Sequence, residues 1–182
     1  MAQRLPTKLD GVILVEPAVH GDERGFFVET FSRDAWAELG IGADFVQHNH
    51  SRSSQGTLRG LHFQTQPGQA KLLRCARGRI LDVAVDLRRD SSTYGQWEAH
   101  ELDDEKHRQL FVPIGFAHGF VVLSEVADVA YLVSSVFDPE HEKGIAWDDP
   151  EVGVEWQVAE PLLSERDKAA PRLSEIADEL PW

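Results

Sequence analysis

The chain has 182 residues, of which 42% are apolar and 27% charged, a balance typical of a globular protein. This length suits one domain with a sizeable core, so we expect residues 1–182 to form a single domain. The net charge of −13 argues against nonspecific binding to nucleic acid or to an anionic membrane. An anionic ligand would have to be held by a local cluster of Arg and Lys.

Cysteine usage and hydropathy predict a cytoplasmic protein. Cys75 is the only cysteine, so no intrachain disulfide can form. With no histidine partner evident in the sequence, Cys75 is interpreted as a small buried residue rather than a nucleophile. No basic segment followed by an apolar stretch opens the chain, and no apolar run reaches the roughly 20 residues of a membrane span.

Short apolar runs separated by turn residues predict nine or ten strands and little helix. In chain order, strands are expected at 11–16, 26–31, 45–50, 57–62, 70–76, 79–88, 95–101, 110–112, 116–123 and 129–136. Ser32 is expected to cap a short helix that ends before Gly40, and further helical turns are expected near Ser164 and Ser174. The Arg77-Gly78 pair predicts a hairpin between 70–76 and 79–88. The set predicts an all-β fold, and a jelly roll fits best because it closes the strands into a cup.

Three of the predicted strands carry polar side chains among apolar ones. Arg59 and His62 lie in the segment 58–64, His118 lies in 116–120, and Tyr131 follows Ala130. Inward polar groups are costly on a strand unless they are paired or line a pocket. A histidine beside a carboxylate can act as a base, a tyrosine as an acid, and a lysine or arginine can stabilise an enolate. Together they indicate proton abstraction next to a carbonyl.

Four runs in series carry a resemblance to a known family: DERGFF at 22–27, LRGLHFQ at 58–64, DVAVDLR at 82–88 and GFAHGF at 115–120. The likeness continues through WDDP at 147–150 and SERD at 164–167. In order and spacing the chain closely resembles the dTDP-4-dehydrorhamnose 3,5-epimerase family. The resemblance implies a cupin-like jelly roll and a cytoplasmic isomerase that acts on a dTDP-4-keto-6-deoxyhexose, without cofactor or metal, as a homodimer. Dimers of this family often exchange an N-terminal strand.

The resemblance also implies a role for each matched residue. His62 matches the catalytic base, Asp167 the carboxylate that orients it, Tyr131 the general acid on the opposite face of the sugar, and Lys71 the group beside the C4 oxygen. Arg24, Arg59 and His118 match contacts to the nucleotide diphosphate. The remaining implied substrate contacts are Glu29, Gln47, His48, Asn49, Phe137, Glu142 and Arg166.

Regular strand geometry conflicts with one part of this assignment. Side chains alternate between the two faces of a strand, so Arg59 and His62 would face opposite sides. If both serve one site, the chain must bend between them, and Gly60 is the expected position of a bulge or twist.

The chain departs from the resemblance at two positions. Many members carry Lys at the position of Leu132 and Tyr at the position of Phe137, a ring that packs on the base or the sugar. Phenylalanine can still stack, but it cannot donate a hydrogen bond. Epimerisation at C3 and C5 is the main expectation, and a monofunctional C3 or C5 epimerase of a secondary-metabolite pathway is the alternative.

Two further hypotheses come from other classes of protein. In a metal-dependent cupin, His48 and His50 would join His62 and His118 as ligands. We interpret His48 and His50 instead as ordinary surface or core histidines, because no Glu follows at metal-site spacing. A noncatalytic sugar-nucleotide binding module is the other alternative, but a pure binder has no need of a base and an opposed acid.

Overall fold

The computed structural model describes residues 1–182 and contains thirteen strands and a few short helices. The strands are β1 Gln3–Leu5, β2 Ile13–Glu16, β3 Val19–Asp22, β4 Gly25–Val28, β5 Gln47–Ser54, β6 Leu58–Gln64, β7 Lys71–Arg77, β8 Arg79–Asp86, β9 Trp97–Asp103, β10 Gln109–Val112, β11 Phe116–Val122, β12 Val126–Val133 and β13 Glu142–Gly144. The helices are α1 Arg33–Glu38, α2 Glu165–Lys168 and α3 Leu173–Ile176, followed by a 3₁₀ turn, Ala177–Glu179.

Two antiparallel sheets form the body of the fold. The first sheet has six strands in the order β1-β2-β10-β7-β12-β5, and the second has five in the order β13-β6-β11-β8-β9. Strands that are neighbours in a sheet are mostly distant in the sequence, which is the topology of a jelly roll. The predicted all-β, cupin-like jelly roll with a few short helices is confirmed.

Three apolar clusters hold these layers together. The central cluster fills the space between the sheets and includes Leu73 of the first sheet and Phe120 of the second. A second cluster covers the outer face of the second sheet with the C-terminal segment, including Trp156 and Leu180. Trp36 of α1 helps to cover the outer face of the first sheet. The second sheet is therefore buried on both faces, and β11 is buried along its whole length.

The predicted hairpin around Gly78 is wrong. β7 pairs with β10 and β12 in the first sheet, whereas β8 pairs with β9 and β11 in the second. The Arg77-Gly78 turn is a corner at which the chain crosses from one sheet to the other. Gly78 has φ of 79°, and a Cβ there would collide with the carbonyl of Val126, so the corner requires glycine.

The N-terminal region agrees with the expectation in one strand and differs in the next. The predicted strand 11–16 is present as β2, which pairs with β1 and β10 of its own chain. The predicted strand 26–31 instead begins as β4, which pairs only with β3. Both strands of this two-stranded hairpin are largely exposed, with Phe26 at 60% and Phe27 at 70% exposure.

Cys75 is fully buried in the central cluster, as predicted, and burial raises the pKa of its thiol to about 12. Such a thiol remains protonated at neutral pH and is a poor nucleophile. None of the helices has the length and apolar character required to cross a bilayer.

Candidate active site

A cavity of about 800 Å³ opens where the apolar packing between the two sheets gives way to polar side chains. Its volume lies in the range typical of small-molecule sites. Each wall of the cavity comes from a different sheet. The predicted catalytic and substrate-binding residues that line it are Gln47, Asn49, Arg59, His62, Lys71, His118, Tyr131, Phe137, Glu142, Arg166 and Asp167.

His62 and Asp167 form a hydrogen-bonded pair, although they lie 105 residues apart in the sequence. His62 Nε2 is 2.6 Å from Asp167 Oδ1. The Ser164 side chain accepts from the amide of Asp167 and begins α2, which places the carboxylate over β6. Burial opposes the charge of Asp167, but hydrogen bonding to His62 outweighs it and lowers the pKa of the carboxyl. Nδ1 of His62 has no protein partner and is available to take a proton.

Arg59 and His62 line the same cavity because β6 is irregular between them. In the pairing with β11, His62 lies opposite His118 and Arg59 lies opposite Phe120, with a register shift between the two pairs. Gly60 has φ of 140°, and a Cβ there would lie 2.5 Å from Cα of Gly119. The irregularity expected at Gly60 is therefore confirmed, and it depends on two facing glycines.

Tyr131 and Lys71 lie on the opposite wall, which the first sheet supplies. Their strands, β12 and β7, are neighbours in that sheet. Lys71 Nζ reaches across the cavity and donates to the backbone oxygen of His62 over 3.3 Å. A histidine with a free ring nitrogen thus faces a phenol across the cavity, with an ammonium group between the walls.

Burial shifts the titration of both groups on this wall. Burial lowers the pKa of Lys71 to about 8, although the charges of Glu142 and Asp82 oppose the shift. Burial and the charge of Glu142 raise the pKa of Tyr131, so its phenol stays protonated at neutral pH. Glu142 also forms an ion pair with Arg166 at the cavity rim. The cavity therefore holds a protonated acid and a cation that is close to its titration point.

A second histidine–carboxylate pair lies beside the first. His118 Nε2 is 3.0 Å from Oδ1 and 3.1 Å from Oδ2 of Asp82, and this carboxylate is fully buried. Asp82 was not singled out from the sequence as a site residue. A usable signal was present, because Asp82 is a charged residue inside the apolar strand β8, where only a paired charge is tolerated.

Three residues predicted to contact the substrate lie outside this cavity. Arg24 is in the turn of the exposed hairpin, paired with Asp22, and Glu29 lies just after that hairpin next to a small separate pocket. His48 lies on the outer face of the first sheet. Within one chain, therefore, the structure does not bring these three residues to the other eleven.

Leu132 and His50 also lie on strands of the first sheet. Leu132 packs against the cluster around Trp36, so its side chain faces away from the cavity. His50 borders the cavity and approaches Asp128, which is paired with Arg52. Of the two histidines that suggested a metal site, His48 therefore lies outside the cavity that holds His62 and His118. No group of three or more potential metal-ligating side chains occurs in the structure.

The fold and the site together define a jelly-roll protein with an acid–base cavity between its sheets, and comparisons with known proteins narrow this class. The sequence profile described as dTDP-4-dehydrorhamnose 3,5-epimerase matches residues 6–175. Enzymes of that name from Pseudomonas aeruginosa and Methanothermobacter thermautotrophicus are similar to this chain. The first is 52% identical over 159 residues, 86% of this chain and 88% of the relative. The second is 48% identical over 167 residues, 90% of each.

Solved structures give the same result. The crystal structure of dTDP-6-deoxy-D-glucose-3,5-epimerase from Legionella pneumophila, in complex with dTDP-4-keto-L-rhamnose, superposes with a TM-score of 0.96. The two proteins are 44% identical, and the match covers 100% of this chain and 98% of the other. This chain belongs to the dTDP-4-dehydrorhamnose 3,5-epimerase family.

Proposed function

We propose that the protein epimerises a dTDP-4-keto-6-deoxyhexose at C3 and C5, converting dTDP-4-dehydro-6-deoxyglucose to dTDP-4-dehydrorhamnose. The observation that carries the proposal is the opposition of His62 and Tyr131 across one cavity, with Lys71 between the walls. Inversion at carbon requires a proton to leave one face and another to arrive at the opposite face. A base and an acid on opposite sheets supply that geometry.

In the proposed reaction, Nδ1 of His62 takes the proton from C5 or C3. The electron pair moves into the C4 carbonyl and forms an enolate, whose oxygen is stabilised by the charged Lys71. Asp167 stabilises the imidazolium of His62. Tyr131 then returns a proton to carbon from the other face. The C4 ketone itself acidifies both neighbouring carbons, so the chain's own side chains suffice for the proposed steps.

Local charge supports binding of a diphosphate in a protein whose net charge is −13. Arg59, Lys71, His118 and Arg166 all line the cavity. Arg59 is held by the hydroxyl of Ser53, and its Nε lies 3.1 Å from that oxygen. Arginine binds phosphate oxygens through two parallel hydrogen bonds, which favours it over a point charge for this contact.

Deuterium exchange tests the proposed reaction directly. The protein is incubated with dTDP-4-keto-6-deoxyglucose in D₂O, and deuterium at C3 and C5 is followed by NMR. We expect incorporation at both carbons. Incorporation at one carbon would assign the protein to the monofunctional epimerases, and no incorporation at either would contradict the proposal. Tyr131→Phe should still permit exchange but impair inversion, because it removes the acid and leaves the base.

The partner of the exposed hairpin is proposed to be a second copy of this chain. The hairpin β3–β4 pairs with neither sheet of its own chain, and an isolated two-stranded hairpin has little stability in water. Phe26 and Phe27 expose apolar surface that a partner would cover. Arg24, whose counterparts in the family contact the diphosphate, is on this hairpin and outside its own cavity. A homodimer in which the hairpin reaches the partner's cavity accounts for all three features.

Subunit complementation tests this arrangement. Arg24→Ala and His62→Asn chains are each expected to form weakly active homodimers. After mixing and exchange of subunits, the cavity of the Arg24→Ala chain would receive an intact hairpin from the His62→Asn chain. Each mixed dimer would then have one complete site, so its activity should approach half that of the wild-type dimer. A monomer by light scattering, or no recovery in verified mixed dimers, would contradict the exchange.

We further propose that residues 1–182 act as one domain and that the protein resides in the cytoplasm. The central cluster draws residues from Leu9 to Val129, and the second cluster draws residues from Leu58 to Leu180, which supports a single folding unit. A lone, buried cysteine supports a reducing location.

A further inference from the structure

Residues 134–138, the first part of the connection between β12 and β13, carry Phe137 at the mouth of the cavity and are called the Phe137 loop. The Phe137 loop leaves the first sheet, and the connection to which it belongs enters the second sheet at β13, so the chain crosses here between the two walls. The ring of Phe137 is 50% exposed and lines the cavity. A large apolar side chain exposed beside a polar cavity is positioned to contact a planar ring of a ligand.

The side chain of Gln64 brackets Phe137 along the chain. Its Nε2 lies 3.1 Å from Oγ of Ser135 and 3.4 Å from the backbone oxygen of Val136, and its Oε1 accepts from the amide of Asp138 over 3.1 Å. Gln64 lies on β6 in the second sheet, two residues after His62. The amide therefore contacts three of the five residues of the Phe137 loop, on both sides of the aromatic residue.

The first sheet holds the same loop from the opposite side. The amide of Phe137 donates to Oε1 of Gln47 over 3.1 Å, and Nε2 of Gln47 donates to Oδ1 of Asn49 over 2.8 Å. Asn49 is the cross-strand neighbour of Tyr131. The position of Phe137 is thus fixed by one glutamine from each sheet, and both glutamines lie on strands that also carry cavity residues.

Burial shows that Gln64 is more than a packing residue. Only 2% of its surface is exposed, and a buried amide is costly unless its donor and acceptor ends are both satisfied. Its partners within residues 134–138 meet both requirements. An apolar side chain would fill this space at lower cost, so the amide is suited to fixing the backbone around Phe137.

We propose that Gln64 is a positioning residue that holds Phe137 against the nucleoside end of the bound sugar nucleotide and so determines the affinity of the cavity for a nucleoside diphosphate. This role rests on the proposed function, because the ligand class comes from it. Gln64 acts through Phe137 and takes no part in proton transfer. Its loss should therefore raise KM and the Kd of the nucleotide, and leave kcat at saturating substrate largely unchanged.

A double-mutant cycle with dTDP as the probe tests the proposal. Gln64→Met keeps the length of the side chain but removes its hydrogen bonds, and by calorimetry it should raise the Kd of dTDP about tenfold. In a Phe137→Ala background the same substitution should have no further effect, because the ring through which it acts is absent. Equal factors in both backgrounds, or an unchanged Kd for Gln64→Met alone, would overturn the proposal.

Two controls separate positioning from general destabilisation. Val85→Ala removes two methyl groups from the cluster on the outer face of the second sheet, the face turned away from the cavity, and should leave the Kd of dTDP unchanged at a similar loss of thermal stability. Gln64→Glu retains the acceptor for Asp138 and loses the donors, and should give an intermediate Kd if Gln64→Met does not fold. If the wild-type protein bound dTDP but catalysed no isotope exchange, the proposed epimerase function would be refuted, and the double-mutant cycle would still test the role of Gln64. A wild type that does not bind dTDP would refute both.

Discussion

Two histidine–carboxylate pairs face the same cavity from adjacent strands, and they differ in where the carboxylate comes from. His62 and His118 are directly opposite each other in the pairing of β6 with β11. Asp167 approaches His62 from helix α2, whereas Asp82 holds His118 from within the sheet, on β8. The His62 side chain is 24% exposed and that of His118 is 9% exposed.

This difference shows how one pair of residue types can support two roles. His62 keeps a free ring nitrogen toward the cavity, and its carboxylate is attached by a short helix outside the sheet. That arrangement suits a base that gains and loses a proton. His118 is enclosed, and both oxygens of Asp82 lie near one ring nitrogen, which suits a hydrogen-bond donor of fixed orientation.

The largest effect is expected at His62. His62→Asn removes the proposed base and should lower the rate of deuterium incorporation at both carbons by about 10²- to 10⁴-fold. The Kd of dTDP should remain within about twofold, because the nucleotide end is held by other residues. Exchange in D₂O and calorimetry on the same preparation measure the two quantities. Exchange at the wild-type rate would remove His62 from the reaction.

Asp167→Asn is expected to have the next largest effect. The amide keeps the shape of the carboxylate but cannot stabilise the imidazolium, and a hydrogen bond to a charged group contributes about 1.5–3 kcal/mol. We expect kcat to fall about 10- to 100-fold with little change in KM. Steady-state kinetics provide the check, and a change confined to KM would indicate that Asp167 serves binding.

His118→Gln should show the opposite pattern. The amide can still donate one hydrogen bond but is not fixed by Asp82 in the same way, so KM should rise about tenfold while kcat changes little. Asp82→Asn is the matched variant and should act in the same direction. If His118→Gln abolished isotope exchange at saturating substrate, the two pairs would share the chemical step and the division of roles would be wrong.

A smaller effect is expected from pH, through the lysine between the two walls. The pKa of Lys71 is lowered to about 8, so the ammonium is lost as the pH rises through this value. The charged fraction, and with it kcat/KM, should fall about fourfold between pH 7 and pH 8.5. Lys71→Arg keeps its charge over this pH range, so its kcat/KM should not show this fall at basic pH. A wild-type profile that is flat to pH 9 would contradict the assignment.

The smallest effect is expected at Leu132. Because this side chain packs on the outer face of the first sheet, Leu132→Lys should change neither kcat/KM nor the ratio of exchange at C3 and C5 by more than about twofold. NMR of the exchanged sugar measures the ratio. A change to exchange at a single carbon would show that the outer face influences the cavity.

Sequence patterns predicted the strands more reliably than their partners. Alternation and turn residues located most of the strands, and Gly60 was identified as the site of an irregularity. The turn at Gly78 was misjudged because a tight turn between two apolar runs has the same local signal whether the chain folds back or changes sheet. β1, β3 and β13 were missed because all three are short and mostly polar.

The site was predicted only in part, because local sequence patterns do not show which distant residues come together. The motif residues His62, Tyr131, Lys71 and Asp167 meet in one cavity, as the resemblance implied. Asp82 and Gln64 were not singled out, since their importance comes from partners 36 and 71 or more residues away. Arg24 was predicted from its motif, but no pattern in one chain indicates that a residue lies outside its own chain's cavity.

The corner at Gly78 has a consequence for how the chain folds. Because β7 and β8 enter different sheets, β7 must find β10 and β12, and β8 must find β11, at long range along the chain. Neither sheet can be completed from one contiguous stretch of chain. Topologies with such a high contact order fold slowly, typically in milliseconds to seconds, and we expect both sheets to form in a single cooperative step.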